Sequence, residues 1–164
     1  MTRRYAEGTT VEVAQTQTEI RGLLARHGVT AFGLAEGPGP DGTHRSGIQF
    51  VLHGLPYRFE VERPSTESFR EEYQRTRRRG QPYEVDYEGR AEREWKRRWR
   101  ARLLWLKATL EFAAGEGEAE VARALLAHLV LPTGQTMDAW TAQQLPSAYA
   151  DGRMPPLLLT GGRG

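Results

Sequence analysis

Four histidines, a few acidic pairs and two runs of arginine are the residues in this chain whose types and spacing can do chemistry. His27, His44, His53 and His128 show no metal-ligand spacing such as HxxxH. His27 and His128 read instead as helix-end residues. Pro40-Asp41 with Glu94-Trp95-Lys96 imitates the PD…ExK arrangement that binds a divalent metal in nucleases. The context is wrong for it, because Glu94 and Lys96 fall in a helical stretch, where positions two apart point in different directions. Asp86 and Glu88 can share a metal, but so can acidic pairs in any loop. Thr133-Gly134-Gln135-Thr136, Thr160-Gly161-Gly162 and the segment Gly37 to Gly42 lack the lysine of a phosphate loop. The absence of cysteine excludes disulfides, thiolate metal sites and cysteine nucleophiles. No set of residues meets the geometric roles of an active site, so the expectation is a non-enzymatic protein with no cofactor and no metal.

The arginines carry the functional signal. Lys96, Arg97, Arg98, Arg100 and Arg102 form one cluster, and Arg75, Arg77, Arg78 and Arg79 form another. Guanidinium groups make bidentate phosphate contacts and stack on bases. The alternative is a solvated face whose aliphatic stems shelter the neighbouring tryptophans. Net charge is only +2, with acidic residues gathered at Glu67 to Glu72 and Glu84 to Glu88, so any anion binding is local. Tyr73, Tyr83 and Tyr87 interleave with the second cluster, either to stack bases or to pin that segment to the body.

These residues need elements to position them. Trp95, Trp99, Leu103, Leu106 and Leu110 recur at three and four, which predicts a long helix over Arg90 to Gly115, ended by Gly115 and Gly117 at positive φ. From Leu103 onward, Leu104, Trp105, Ala108 and Phe112 spread apolar character round it, so this half is expected to be covered on more than one side. Upstream, Thr9 to Ala14 reads as a strand, Gln15 to His27 as a helix capped by Thr16 or Thr18, and Val29 to Leu34 as a second strand before the turn Gly37 to Gly42. Gly47 to His53 and Tyr57 to Glu62 predict a hairpin around Gly54-Leu55-Pro56. Alternation sets Ile48, Phe50, Leu52, Tyr57, Phe59 and Val61 on one face, under the long helix, and Gln49, His53, Arg58, Glu60 and Glu62 on a wet one.

Pro64 to Gly89 is a charged excursion with one helical piece, Glu67 to Arg78. Glu118 to Leu129 predicts a helix, and Thr136 caps a shorter one through Gln144. The tail, 153–164, carries Leu157-Leu158-Leu159, which dock on this domain or on a neighbouring copy. The expected fold is α+β in one domain, 1–164: a small antiparallel sheet of three to four strands, covered on one face by the long central helix, with additional C-terminal helices. No apolar run has membrane-spanning length and Met1 to Gly8 lacks the apolar stretch of a signal peptide, so cytoplasm is the expected location and no membrane partner is expected.

Several stretches together resemble a family of small proteins encoded by tailed bacteriophages and prophages. They are Arg26-His27-Gly28 before Phe32; Tyr57-Arg58-Phe59; Trp99-Arg100-Ala101 through Leu106-Lys107-Ala108 and Leu110-Glu111; Leu126-Ala127-His128 with Leu131-Pro132; and Ala148-Tyr149 with Gly152, Met154 and Pro155. The likeness spans most of Thr10 to Leu159 and departs most in Pro64 to Gly89. It implies a product of a phage early region concerned with DNA metabolism, acting in the host bacterial cytoplasm. The order of elements also resembles the core of phage single-strand annealing proteins, which implies a ring-forming protein with a basic groove between hairpin and helix. Here that groove lies between Gln49 to Arg58 and the flank Lys96 to Arg102. The leading expectation is therefore a non-catalytic protein that binds single-stranded nucleic acid through Arg58, Lys96, Arg97, Arg98, Arg100 and Arg102, with Arg75, Arg77, Arg78 and Arg79 as a second cluster. The alternatives are an accessory protein that binds a host protein, such as a polymerase or defence factor, and an assembly factor that oligomerises through its tail.

Overall fold

The structure, a computed structural model, describes residues 6, 9–39, 42–76 and 85–152. Among them the order is α1 (Val13–Arg26), β1 (Ala31–Pro38), β2 (His44–Leu52), β3 (Leu55–Glu62), α2 (Thr66–Thr76), α3 (Tyr87–Ala114), α4 (Glu118–Ala124), a 3-10 turn (Leu126–His128) and α5 (Met137–Asp151). The strands form one antiparallel sheet in the order β1-β2-β3. Helices α1 and α3 lie on one face of it, which gives the α+β fold expected from the sequence, with three strands.

The register explains the layering. Phe32, Leu34 and Glu36 stand opposite Phe50, Ile48 and Ser46, and β2 continues with Ile48 opposite Phe59 and Phe50 opposite Tyr57. Because side chains alternate across a strand, these residues share the face toward the helices. Ile48, Phe50, Leu52, Tyr57 and Phe59 are buried there against Ile20, Leu23 and Leu24 of α1 and Trp95, Trp99, Leu106 and Leu110 of α3. Phe50 stacks on Tyr57 at 5.6 Å, and Trp95 meets Trp99 edge-on at 5.8 Å. Gln49, Glu60 and Glu62 are exposed on the other face.

Helix α3 begins where Asp86 accepts the Gly89 amide at 2.6 Å. A Cβ at Gly89 would come within 1.9 Å of the Asp86 carboxylate, so any larger residue there makes the Asp86 side chain turn aside. At its other end Gly115 keeps helical dihedrals, φ −71°, and the positive φ falls two residues later at Gly117.

Other expectations are corrected. Thr9 to Ala14 forms no strand: α1 starts at Val13 and the segment before it has no strand beside it among the described residues. Thr16 and Thr18 sit inside α1 and donate back to the Glu12 and Ala14 carbonyls rather than capping. The hairpin turn is His53-Gly54, both at positive φ, with Leu52 opposite Leu55. Two consecutive left-handed residues match the twist of the flanking strands. Glu118 to Leu129 is not one helix, since α4 stops at Ala124 and tightens into the 3-10 turn. Thr136 makes no side-chain cap but bridges Val130, and α5 runs through Pro146 to a left-handed Gly152. In the excursion, α2 ends at Thr76, and Tyr73 and Tyr87 meet edge-on at 6.1 Å to hold α2 on α3. Arg77, Arg78, Arg79, Tyr83 and the tail leucines lie outside the described residues.

Leu106 is fully buried beneath both layers. Leu106→Ala is therefore expected to cost about 2–5 kcal/mol, because the site loses contacts and the layers close the space only in part. Urea denaturation followed by circular dichroism measures it.

Candidate functional site

The arginine flank of α3 is built on a helix whose buried stripe is Trp95, Trp99 and Leu106. Residues beside that stripe must run along the boundary between α3 and its neighbours, and the cations do so on both sides. Lys96 Nζ is 2.6 Å from Glu12 at the start of α1, and Arg100 Nη1 is 2.7 Å from Glu19 of the same helix. On the other side Arg98 Nη1 donates to the Glu62 carbonyl of β3 at 2.8 Å. Arg102 lies over the rings of Phe59 and Trp105, 5.3 Å from each centroid. Arg97 donates through Nε and Nη2 to both oxygens of Glu94, each at 2.6 Å, and Arg98 Nε reaches the same carboxylate at 3.3 Å.

The Arg97 hydrogen bonds hold the Glu94 carboxyl below the usual carboxylate range, against the opposing effect of its burial. Three arginines, Arg97, Arg98 and Arg102, line a depression beside β3 that also presents Glu60 and Glu62, so with Glu94 the local charge is close to balanced.

The expected groove is displaced along the hairpin: the depression between β3 and α3 is bordered by Glu60, Val61 and Glu62, not by Gln49 to Arg58. Gln49 and Arg58 pair across β2 and β3 and stand on the sheet face away from α3. Arg58 donates through Nη2 to the Gly134 carbonyl at 3.0 Å, and its Nε is 3.5 Å from Glu60, so it braces the sheet against the segment before α5. Arg75 is exposed near the end of α2. On the open face, Gly33, Ala35 and Gly47 floor a trough of about 480 Å³ with Arg45 and Glu60 at its side. Arg45 is 4.0 Å from Glu60. No aromatic side chain lines this trough. Nor does any group of three or more His, Asp or Glu residues among those described suit a metal ion.

A different surface emerges between α1 and α3. Glu19, Gly22, Leu23, Arg26, Arg100, Leu103, Leu104 and Lys107 line a groove of about 390 Å³. Gly22 makes the dip, since nothing lies within 4 Å of where its Cβ would be. Arg100 is engaged by Glu19, but Arg26 and Lys107 have no carboxylate partner among the described residues. Beyond the groove Leu104, Ala108 and Phe112 follow at intervals of four on exposed α3 surface, Leu104 at 43% and Phe112 at 72% exposure. The C-terminal half of α3 is thus covered by α1, by the sheet and by α4, but not along this stripe. The pattern in the sequence places these residues in a wrapped helix; what marks them as uncovered is an apolar circumference wider than the neighbouring elements can cover.

No protein-family model matches the chain, and neither a curated protein nor a solved structure is significantly similar to it. No described helix is long and apolar enough to cross a membrane.

His128 joins the β3 side of the site to α5. Its ring meets Trp105 at 5.0 Å and Phe59 at 6.0 Å, both edge-on. Burial first, and the Arg102 cation second, push its pKa below the ordinary 6.5, with Asp138 and a hydrogen bond to the Arg58 backbone opposing. A histidine whose folded pKa is depressed binds fewer protons folded than unfolded. Its contribution is complete above the unfolded value and is lost as pH falls from there through the folded value. Glu94 acts in a lower window, below the ordinary carboxylate value of 4.5. Urea midpoints measured from about pH 7.5 to 5.5 are expected to fall. In His128→Gln that fall is expected to shrink.

Proposed function

We propose that this chain is a non-catalytic binding protein that receives an acidic, amphipathic segment of a partner protein across α1 and the C-terminal half of α3. The observation that carries this reading is continuity: the exposed Leu104, Ala108 and Phe112 stripe runs out of a groove whose rim holds Arg26 and Lys107 without carboxylate partners among the described residues. Eight residues of helix give the stripe a length of about 12 Å. That suits a partner helix with apolar side chains at three- and four-residue intervals and carboxylates beside them. Phe112 is the large, exposed aromatic expected of an anchor at such an interface. The resemblance to phage-encoded proteins gives the reading its setting, an accessory protein acting on a host protein.

Single-strand binding draws less support. The α3 flank satisfies its cations internally, and the leucine and alanine of the exposed stripe suit an amphipathic helix better than a phosphate backbone.

The probe is a labelled helical peptide of about 20 residues, with leucines on one face and glutamates flanking them. Comparators are its lysine-flanked counterpart and a single-stranded oligonucleotide. The acidic peptide is expected to bind and the basic one not to. Phe112→Ala is expected to weaken binding about tenfold or more, and Lys107→Glu is expected to weaken it and lower its salt sensitivity, because the screened attraction is lost. Absence of acidic-peptide binding, or binding indifferent to Phe112→Ala, contradicts the proposal. Salt-sensitive oligonucleotide binding abolished by Arg26→Glu assigns the groove to nucleic acid instead.

A further inference from the structure

The edge of the sheet carries a second, independent surface. β1 is an edge strand, hydrogen-bonded to β2 on one side and to no described strand on the other. In β2 the odd residues face β1, as the hydrogen bond from Gly39 to the Thr43 carbonyl shows at the far end of the pair. The complementary residues of β1, Phe32, Leu34 and Glu36, therefore direct their amides and carbonyls outward. In this stretch β1 has no lysine and no proline before Pro38, and its one charge on the helix-facing side is Glu36, 3.9 Å from His44 Nδ1. Leu34 is the telling side chain. It lies on the sheet face that α1 and α3 cover, opposite buried Ile48, yet is 51% exposed because the helices stop short of the edge.

We propose that β1 pairs antiparallel with β1 of a second copy of this chain, with Leu34 opposite Leu34 on the two-fold axis. In that register Leu34 of each copy exchanges both backbone hydrogen bonds with the other, and Phe32 does the same with Glu36 of its partner. The two half-exposed leucines meet in the unfilled space beside α1. Charge complementarity selects the second copy over an unrelated strand. Arg21 of α1 lies over the Phe32 ring, 5.8 Å from its centroid, and has no carboxylate partner among the described residues. Glu36, on the same face and two residues beyond Leu34, comes opposite Phe32 and so beside Arg21 of the other copy. Two-fold symmetry makes that ion pair twice, and the pairing ends where Pro38 offers no amide. The result is a six-stranded sheet with the two α1 helices on one face.

The chain contains no cysteine, so a single introduced thiol reports this register cleanly. Directly opposed residues that exchange hydrogen bonds have Cα atoms about 5.5 Å apart, within disulfide range. Leu34→Cys is expected to oxidise rapidly to a covalent dimer. Ala35→Cys, which falls opposite Gly33 on the other face, is expected not to. Sedimentation equilibrium is expected to give twice the 18.5 kDa chain mass for the unmodified protein. Leu34→Lys, at an exposed position, is expected to give a monomer that stays folded, with an unchanged far-ultraviolet circular dichroism spectrum and a melting temperature that no longer depends on concentration. Arg21→Glu and Glu36→Arg are each expected to weaken the dimer, and the double variant to restore it. A monomer across the whole concentration series overturns the proposal. So does a dimer untouched by Leu34→Lys, or cross-linking at Ala35→Cys as fast as at Leu34→Cys. Phe112→Ala, which tests the α3 stripe, is expected to leave the mass unchanged.

Discussion

Trp99, Leu106 and Leu110 of α3, all without solvent exposure, rest on the apolar face of the sheet, and most of the architecture depends on that contact. Burying a tryptophan and two leucines removes several hundred Å² of apolar surface from water, on the order of several kcal/mol in transfer terms. Fixing this stripe fixes the azimuth of the helix. Once the azimuth is set, every other α3 side chain has its direction assigned, including the cations interleaved with the tryptophans. Lys96 and Arg100, four apart, must point at α1, and Arg98 and Arg102, four apart, must point at β3.

Those directions place charged groups along two partly dry boundaries, where an unpaired cation is costly. The chain answers with Glu12 and Glu19 on α1, with Glu94 one turn back on α3, with the Glu62 carbonyl, and with the faces of Phe59 and Trp105. Each pair contributes little by itself. Together they convert what reads as a cationic ridge into a seam joining three elements, and they leave cationic character beside the seam at Arg26 and Lys107. The long helix thus has two roles separated along its length: its first half ties elements together, and its second half presents an apolar stripe.

Periodicity made the layers legible in the sequence, since alternation in Ile48, Phe50 and Leu52 and the three-and-four spacing from Trp95 to Leu110 both identify buried faces. The arginine seam was not legible, because Glu12 and Glu19 are 84 and 81 positions from the cations they meet, and only the packing of α1 on α3 brings them together. Local competition accounts for the misplaced boundaries. His53-Gly54 takes the turn from Gly54-Leu55-Pro56 because it sets two left-handed residues between Leu52 and Leu55. The short helix expected to run through Gln144 continues past Pro146 to Asp151. Thr9 to Ala14 has β-branched residues but no neighbouring strand among the described residues, and a strand without a partner cannot satisfy its backbone. The groove beside Gly22 and the uncovered Leu34 are properties of where helices end on a sheet, which a one-dimensional pattern does not contain.

Carboxylates within the fold neutralise the α3 cations, and this fixes the sign of the salt effect on stability. Urea unfolding is measured in sodium chloride from about 0.05 to 0.5 M, a range over which screening shortens from well beyond 10 Å to a few ångströms. If Lys96, Arg97, Arg98 and Arg100 are held by Glu12, Glu94 and Glu19, added salt weakens attractions and the midpoint falls. If they stand as an unpaired ridge of like charge, salt relieves repulsion and the midpoint rises, which would contradict the account.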